Sequence, residues 1–139
     1  DRITVWDGIL QDNVEGVGPL VICHDADVAL KCLLFATGIR ERQRRGLDRL
    51  LIPHSPELAR AGFVLSRRTG GPPRSEVSWQ DGEDTCSARF GWPGDAVEFT
   101  FYARASLNEL KSSLLSPDGD PLFSGVRRVP AGSSEHARP

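Results

Sequence analysis

The sequence predicts a β-rich α+β domain in which an antiparallel sheet forms a sandwich or open barrel with two or three short helices. Four segments between residues 62 and 102 are rich in β-branched and aromatic residues, and glycine- and proline-bearing connectors separate them. Ser106, followed three residues later by Glu109, begins a leucine-bearing segment that is typical of a capped helix. At 139 residues the chain has the length of one domain. We expect residues 1–129 to be globular and residues 130–139 to form a disordered tail.

In the first half, residues 3–6 and 19–24 have the composition of short strands, and residues 11–18 predict a loop. The apolar residues 28–35 fit either a strand that follows a turn at residues 25–27 or a buried helix capped by Asp25 or Asp27, because short apolar runs do not separate the two by period. We favour the strand because Gly38 closes it.

Two short helices are predicted in the middle of the chain. Leu47, Leu50 and Leu51 share one helical face in residues 47–51. Ser55 and Pro56 supply an N-cap and a first helical residue for residues 56–61.

The second half predicts strands at residues 62–66, 75–79, 85–90 and 96–102, followed by a helix from Ser106 to about residue 115. Short connectors imply that consecutive strands pair as a meander. In the fourth segment apolar and polar residues alternate, so one face is expected to pack inward.

Composition and charge exclude several classes of protein. A net charge of −2 and a pI near 5.9 disfavour a dedicated nucleic-acid binder. Apolar runs are shorter than the ~20 residues of a membrane span. Three cysteines cannot all pair, and neither asparagine begins a glycosylation sequon, so we expect an intracellular protein. The chain contains no methionine, which suggests a processed product or an excised domain.

A run of arginines at residues 40–45 follows the apolar segment and admits three interpretations. It could form a phosphate- or nucleic-acid-binding surface, extended by Arg67 and Arg68. Residues 42–45 also resemble the cleavage motif of furin-type proprotein convertases. The interpretation we favour is a solvated helix or loop in which the arginines pair locally with Glu41 and Asp48.

Metal-capable side chains are concentrated at residues 23–27, and Cys32, His54 and Cys86 could join them in space. There is no Cys-x-x-Cys pair, and the free cysteines are expected to fill apolar positions. Cys23 and His24 would point to opposite faces of a strand, so they would not form a catalytic dyad. We therefore expect no metal and no cofactor.

These observations predict a non-catalytic protein–protein interaction or self-association module that uses a β-sheet face and an arginine-rich loop. One alternative is an anion or nucleic-acid binding domain, and another is a small enzyme with a Cys/His or metal centre. No membrane partner is expected. The predicted partner or anion-binding residues are Arg40, Arg42, Arg44, Arg45, Arg67, Arg68, Trp79 and Tyr102.

Overall fold

The computed structural model describes residues 2–5, 21–67 and 75–132. Its elements in chain order are β1 (Ile3–Val5), β2 (Val21–Cys23), α1 (Ala26–Arg44), β3 (Arg49–Leu51), a 3₁₀ turn (Pro56–Leu58), β4 (Phe63–Arg67), β5 (Ser75–Asp81), β6 (Asp84–Phe90), α2 (Pro93–Phe99), α3 (Leu107–Leu115) and β7 (Arg127–Val129). The strands form a five-stranded antiparallel sheet in the order β1-β2-β6-β5-β4 and a two-stranded sheet of β3 and β7. The predicted sheet-rich α+β class is confirmed, and the larger sheet is not a closed barrel.

The three strands β4, β5 and β6 form the predicted meander. Along β5 and β6, Val77 and Ala88 are paired and buried, whereas the neighbouring pair Ser78 and Ser87 faces away from the core. The hairpin between β5 and β6 turns at Gly82, whose φ of 63° is in the left-handed region that glycine adopts without strain. One face of the sheet therefore packs on the helices, and the other carries mostly polar side chains.

The strand predicted for residues 28–35 is wrong, because this segment lies in the 19-residue helix α1. Asp25 caps it, since its side chain accepts a hydrogen bond of 2.8 Å from the Asp27 amide. Val28, Cys32 and Phe35 are buried at helical spacing, and α1 packs on β1, β2 and α3. Gly38 does not end the element; it lies in the helix and faces Leu114 of α3.

The strand predicted for residues 96–102 is also wrong, because residues 93–99 form α2. Pro93 occupies the start of α2, where its missing amide hydrogen is not needed. Ala96, Val97 and Phe99 are all buried, so the apparent alternation did not mark a one-sided strand. The Phe99 ring lies about 5 Å from the ring centroids of Trp79, Phe90 and Tyr102, which centres α2 on the core.

Of the remaining helix predictions, some are confirmed and one is wrong. The α3 helix begins as predicted, with the Ser106 hydroxyl accepting from the Glu109 amide at 3.0 Å. The short helix predicted for residues 56–61 begins at Pro56 as expected, but it is only a 3₁₀ turn that ends at Leu58. The helix predicted at residues 47–51 is instead β3, because Leu50 pairs with Arg128 of the unpredicted strand β7. The predicted loop at residues 11–18 and the tail beyond residue 132 lie outside the described residues.

Within the described ranges, no helix combines the length and apolarity that crossing a membrane requires.

Candidate partner-binding cleft

The arginine run belongs to a helix, which is one of the two forms of the favoured interpretation, and not to the arginine-rich loop predicted as a docking surface. Arg40, Arg42 and Arg44 lie on the last turns of α1, and Arg45 follows directly as its C-cap residue. Because successive helical residues are rotated by about 100°, these side chains leave the helix in different directions. The structure therefore divides the run into one buried arginine and several exposed ones.

Arg42 is the buried member, with 2% of its surface exposed. Its guanidinium donates to the carbonyl oxygens of Leu114 at 2.8 Å, of Pro117 at 3.1 Å and of Ser116. It also donates to the Asp48 carbonyl oxygen, at 2.6 Å from Nη2. Burial lowers the pKa of Arg42, but the carbonyls at the C-terminal end of α3 stabilise its charge. Arg42 thus joins the ends of two helices and has almost no surface to offer a partner.

Two of the exposed arginines, Arg44 and Arg45, pair locally with Glu41, as the favoured sequence interpretation proposed for Glu41. Arg44 Nε lies 2.8 Å from one Glu41 carboxylate oxygen, and Arg45 Nε lies 2.8 Å from the other. Hydrogen bonds from Arg44 and Arg45 lower the pKa of Glu41 to about 2. Neutralisation by this carboxylate reduces the positive charge that the run presents to solvent.

A cavity of about 310 Å³, called the cleft below, lies between α1, β3 and α2. Its apolar lining includes Phe35, Phe90 and Tyr102, and its charged lining includes Arg40 and Arg49. An apolar pocket that carries a few charged groups is the usual form of a site for a ligand or for a partner's anchoring side chain.

The acidic side of the cleft is built by α2 and the loop before β4. Asp95 and Glu98 project from α2 into the lining, and His54 hydrogen-bonds to the Glu98 carboxylate. The His54 ring also stands edge-on to Trp92, with 5.0 Å between ring centroids. These contacts fix the position of Glu98. The lining of the cleft therefore combines arginines from α1 and β3 with carboxylates from α2.

A second cavity of about 330 Å³ adjoins the cleft. The two share Ile39, Arg49 and Leu50 as lining residues. Arg49 is therefore at the wall common to both cavities. Gln43 and Pro130 line the second cavity but not the cleft.

The two aromatic residues predicted for a partner surface are buried instead of outward-facing. Trp79 lies on the packed face of the sheet against Phe63 and Phe99. Tyr102 stacks on Phe35 at 4.5 Å and contributes to the lining of the cleft. Among the remaining predicted residues, Arg67 is exposed at the end of β4, and Arg68 lies outside the described residues.

The cysteines are poorly suited to nucleophilic chemistry. Burial raises the pKa of Cys32 to about 12, and burial also raises the pKa values of Cys23 and Cys86. Their thiols are therefore protonated at neutral pH, and thiolate is the reactive form. In the described part of the chain no three metal-capable side chains come together as a possible site.

Sequence reasoning missed the assembly of the cleft. Arg49, Asp95 and Glu98 come from β3 and α2, and both segments were assigned to the wrong type of element. His54 was considered only as a possible zinc ligand or as the partner of a nucleophilic cysteine. No local spacing marks these residues as neighbours, because the packing of α1, β3 and α2 brings them together.

Comparisons with known proteins give one family and one solved structure. The sequence model of the family described as Immunity protein 61 matches residues 15–122. The chain is similar in structure to Rv3902c from M. tuberculosis, with 26% sequence identity and a TM-score of 0.62. That match covers 76% of this chain and 60% of the other, so the chain spans less than two thirds of that protein's length. No curated protein sequence matches the chain significantly.

Proposed function

This chain belongs to the Immunity protein 61 family, and on that premise we propose that it is an immunity protein that binds a protein toxin and blocks its action. The family match over residues 15–122 carries this proposal. Binding a partner requires a complementary surface and no catalytic group of its own. The predicted protein–protein interaction role is therefore retained in a more specific form.

The cleft is the surface we assign to the toxin. Its apolar floor can take an anchoring side chain, and its arginines offer hydrogen bonds in a partly dehydrated setting. Arginine is also enriched at protein interfaces, where its planar group pairs with carboxylates. The exposed end of α1, with Arg40 in the cleft lining, preserves part of the predicted arginine surface.

The outer face of the five-stranded sheet supports the proposal less well. Its central strands present Ser78 and Ser87, whose small side chains bury little area. Glu76 and Arg89 on the same face pair with each other at 3.1 Å. Val64, with 65% exposure, is the large apolar exception on β4. This face lacks the concave, aromatic-lined character of the cleft.

The nucleic-acid alternative is weakened by the way the arginine run is used. Arg42 is buried against backbone carbonyls, and Arg44 and Arg45 are held by Glu41. Phosphate binding by these residues would compete with those contacts.

Growth rescue tests the proposed function. Candidate toxin domains encoded beside the gene are expressed in bacteria with and without this chain. We expect the chain to restore growth against its cognate toxin and to form a complex with a dissociation constant on the order of nanomolar or tighter. Purified components in isothermal titration calorimetry provide the second readout. Undiminished toxicity together with no measurable complex would rule out neutralisation by binding.

A pair of tryptophan substitutions tests the assigned surface. Ala36 lines the cleft on α1, and Ser87 lies on the outer sheet face. We expect Ala36→Trp to weaken toxin binding at least about tenfold by filling the cleft, and Ser87→Trp to change it less than about threefold. Surface plasmon resonance measures both, and thermal unfolding confirms that both variants are folded. The reverse order of effects would assign the toxin to the sheet face.

A further inference from the structure

Arg49 has two side-chain nitrogens whose hydrogen-bonding capacity is unused. Nε and Nη2 are shielded from solvent, and neither has a hydrogen-bond acceptor among the residues that the structure describes. The side chain leaves β3 at the wall shared by the cleft and the second cavity. Buried polar groups are nearly always hydrogen-bonded, so this exception requires a physical reason.

The same protein shows what a satisfied buried arginine looks like. Arg42, a short distance along the chain, donates to the carbonyl oxygens of Leu114, Pro117 and Asp48. The hydrogen bonds of the Arg42 guanidinium are therefore made within the fold, without a ligand. Among the described residues, Nε and Nη2 of Arg49 lack such acceptors, and a guanidinium remains charged at every physiological pH. Free protein is therefore destabilised at Arg49, and an added acceptor would remove that penalty.

The two nitrogens define the geometry of the missing acceptor. The N–H bonds of Nε and Nη2 point the same way from one edge of the planar guanidinium group. This edge matches the two oxygens of a carboxylate and forms the paired hydrogen bonds that are the strongest arginine contacts. We propose that the partner toxin inserts an aspartate or glutamate side chain through the cleft, and that Arg49 binds the carboxylate of this side chain. This inference rests on the proposed function.

The surroundings of Arg49 favour a side-chain carboxylate over a phosphate group. Asp95 and Glu98 line the same cleft and would repel a doubly charged phosphate more strongly than a single carboxylate. Phe35 and Tyr102 provide apolar contacts for the aliphatic stem of an acidic side chain. Both donor atoms are covered in the free protein, so binding includes a rotation of the guanidinium group toward the cavity.

Replacement of Arg49 separates this role from a structural one. We expect Arg49→Met to weaken toxin binding on the order of 30-fold or more, because a charged interface contact is lost. The melting temperature is expected to stay equal or to rise, since two unsatisfied buried donors are removed. Arg89→Met, on the outer sheet face, is the matched control and should leave toxin affinity within about twofold.

The outcomes distinguish the two proposals. Wild-type protein that binds no toxin would overturn the proposed function. Wild-type binding that Arg49→Met leaves unchanged would overturn the present inference alone. A variant that loses thermal stability along with affinity would also overturn it, because Arg49 would then be a structural residue.

A test without toxin uses butyrate, a monocarboxylate whose aliphatic stem resembles that of a glutamate side chain. The ¹H–¹⁵N signal of Arg49 Nε, assigned by its loss in Arg49→Met, is followed during titration of wild-type protein. We expect a saturable shift with butyrate, a smaller shift with inorganic phosphate and none with uncharged butyramide. An unmoved signal in butyrate, or an equal response to phosphate, would overturn the assignment of a carboxylate.

Discussion

Replacing Arg42 with methionine is expected to lower the free energy of unfolding by about 3–5 kcal/mol. The methionine keeps much of the aliphatic volume but removes the guanidinium group that donates to the carbonyls of Leu114, Pro117 and Asp48. These carbonyl oxygens would then lose the guanidinium donors at a place that water hardly reaches, since only 2% of Arg42 is exposed. The ends of α1 and α3 would lose their principal polar connection. Urea denaturation followed by circular dichroism measures the loss, and the melting temperature should fall by roughly 10 °C.

Arg44→Met is the matched control for this prediction. Arg44 is two residues away on the same helix, but 72% of its side chain is exposed and it forms an ion pair with Glu41. Its removal should change the free energy of unfolding by no more than about 0.5 kcal/mol. Equal effects of the two substitutions would contradict the structural role of Arg42.

Substitution of Gly38 by valine is expected to destabilise the fold by about 2–3 kcal/mol through overpacking. A Cβ atom at this position would lie 2.5 Å from Leu114 Cδ1 and 3.2 Å from Leu114 Cβ. Leu114 Cβ is fixed to the backbone of α3, and the Leu114 side chain is 1% exposed, so it has little room to turn away. The two helices must therefore separate, which opens the core between them. Thermal and urea denaturation measure the effect.

Thr37→Val and Gly38→Ala control for the contributions of the helix itself. Thr37 is exposed, so its nearly isosteric replacement should change the free energy of unfolding by less than about 0.5 kcal/mol. Gly38→Ala gains roughly 1 kcal/mol of helix propensity but meets the same Leu114 atoms, so its loss should be smaller than that of valine. A valine variant as stable as the wild type would show that α1 and α3 are not in close contact at Gly38.

Both substitutions concern the framework that holds the cleft. The end of α1 supplies Ile39 and Arg40 to the cleft lining, and its position depends on Gly38 and Arg42 packing against α3. Loss of toxin binding in either variant would therefore reflect displacement of α1. For this reason Arg49, whose replacement is expected to preserve stability, is the more informative position for a contact with the toxin.

The sequence by itself determined the features that depend on near neighbours. The strands β4, β5 and β6 were predictable because glycine-bearing connectors separate β-rich segments. The start of α3 was predictable because a capping serine and its partner amide are three residues apart. These signals act within a few residues, so no knowledge of the rest of the molecule is needed.

The tertiary structure alone decided the type of the buried segments and the members of the cleft. Residues 28–35 are apolar on more than one face, so their period fits a helix or a strand, and packing of α1 on the sheet and α3 selects the helix. Nothing in the arginine run marks Arg42 as its buried member, because two of the carbonyls that hold it, those of Leu114 and Pro117, are 72 and 75 residues away. Arg49 comes to line the cleft, with two shielded donors unused, only when β3, α1 and α2 meet. Whether a residue is buried depends on elements that are distant in the chain, and the local sequence does not encode it.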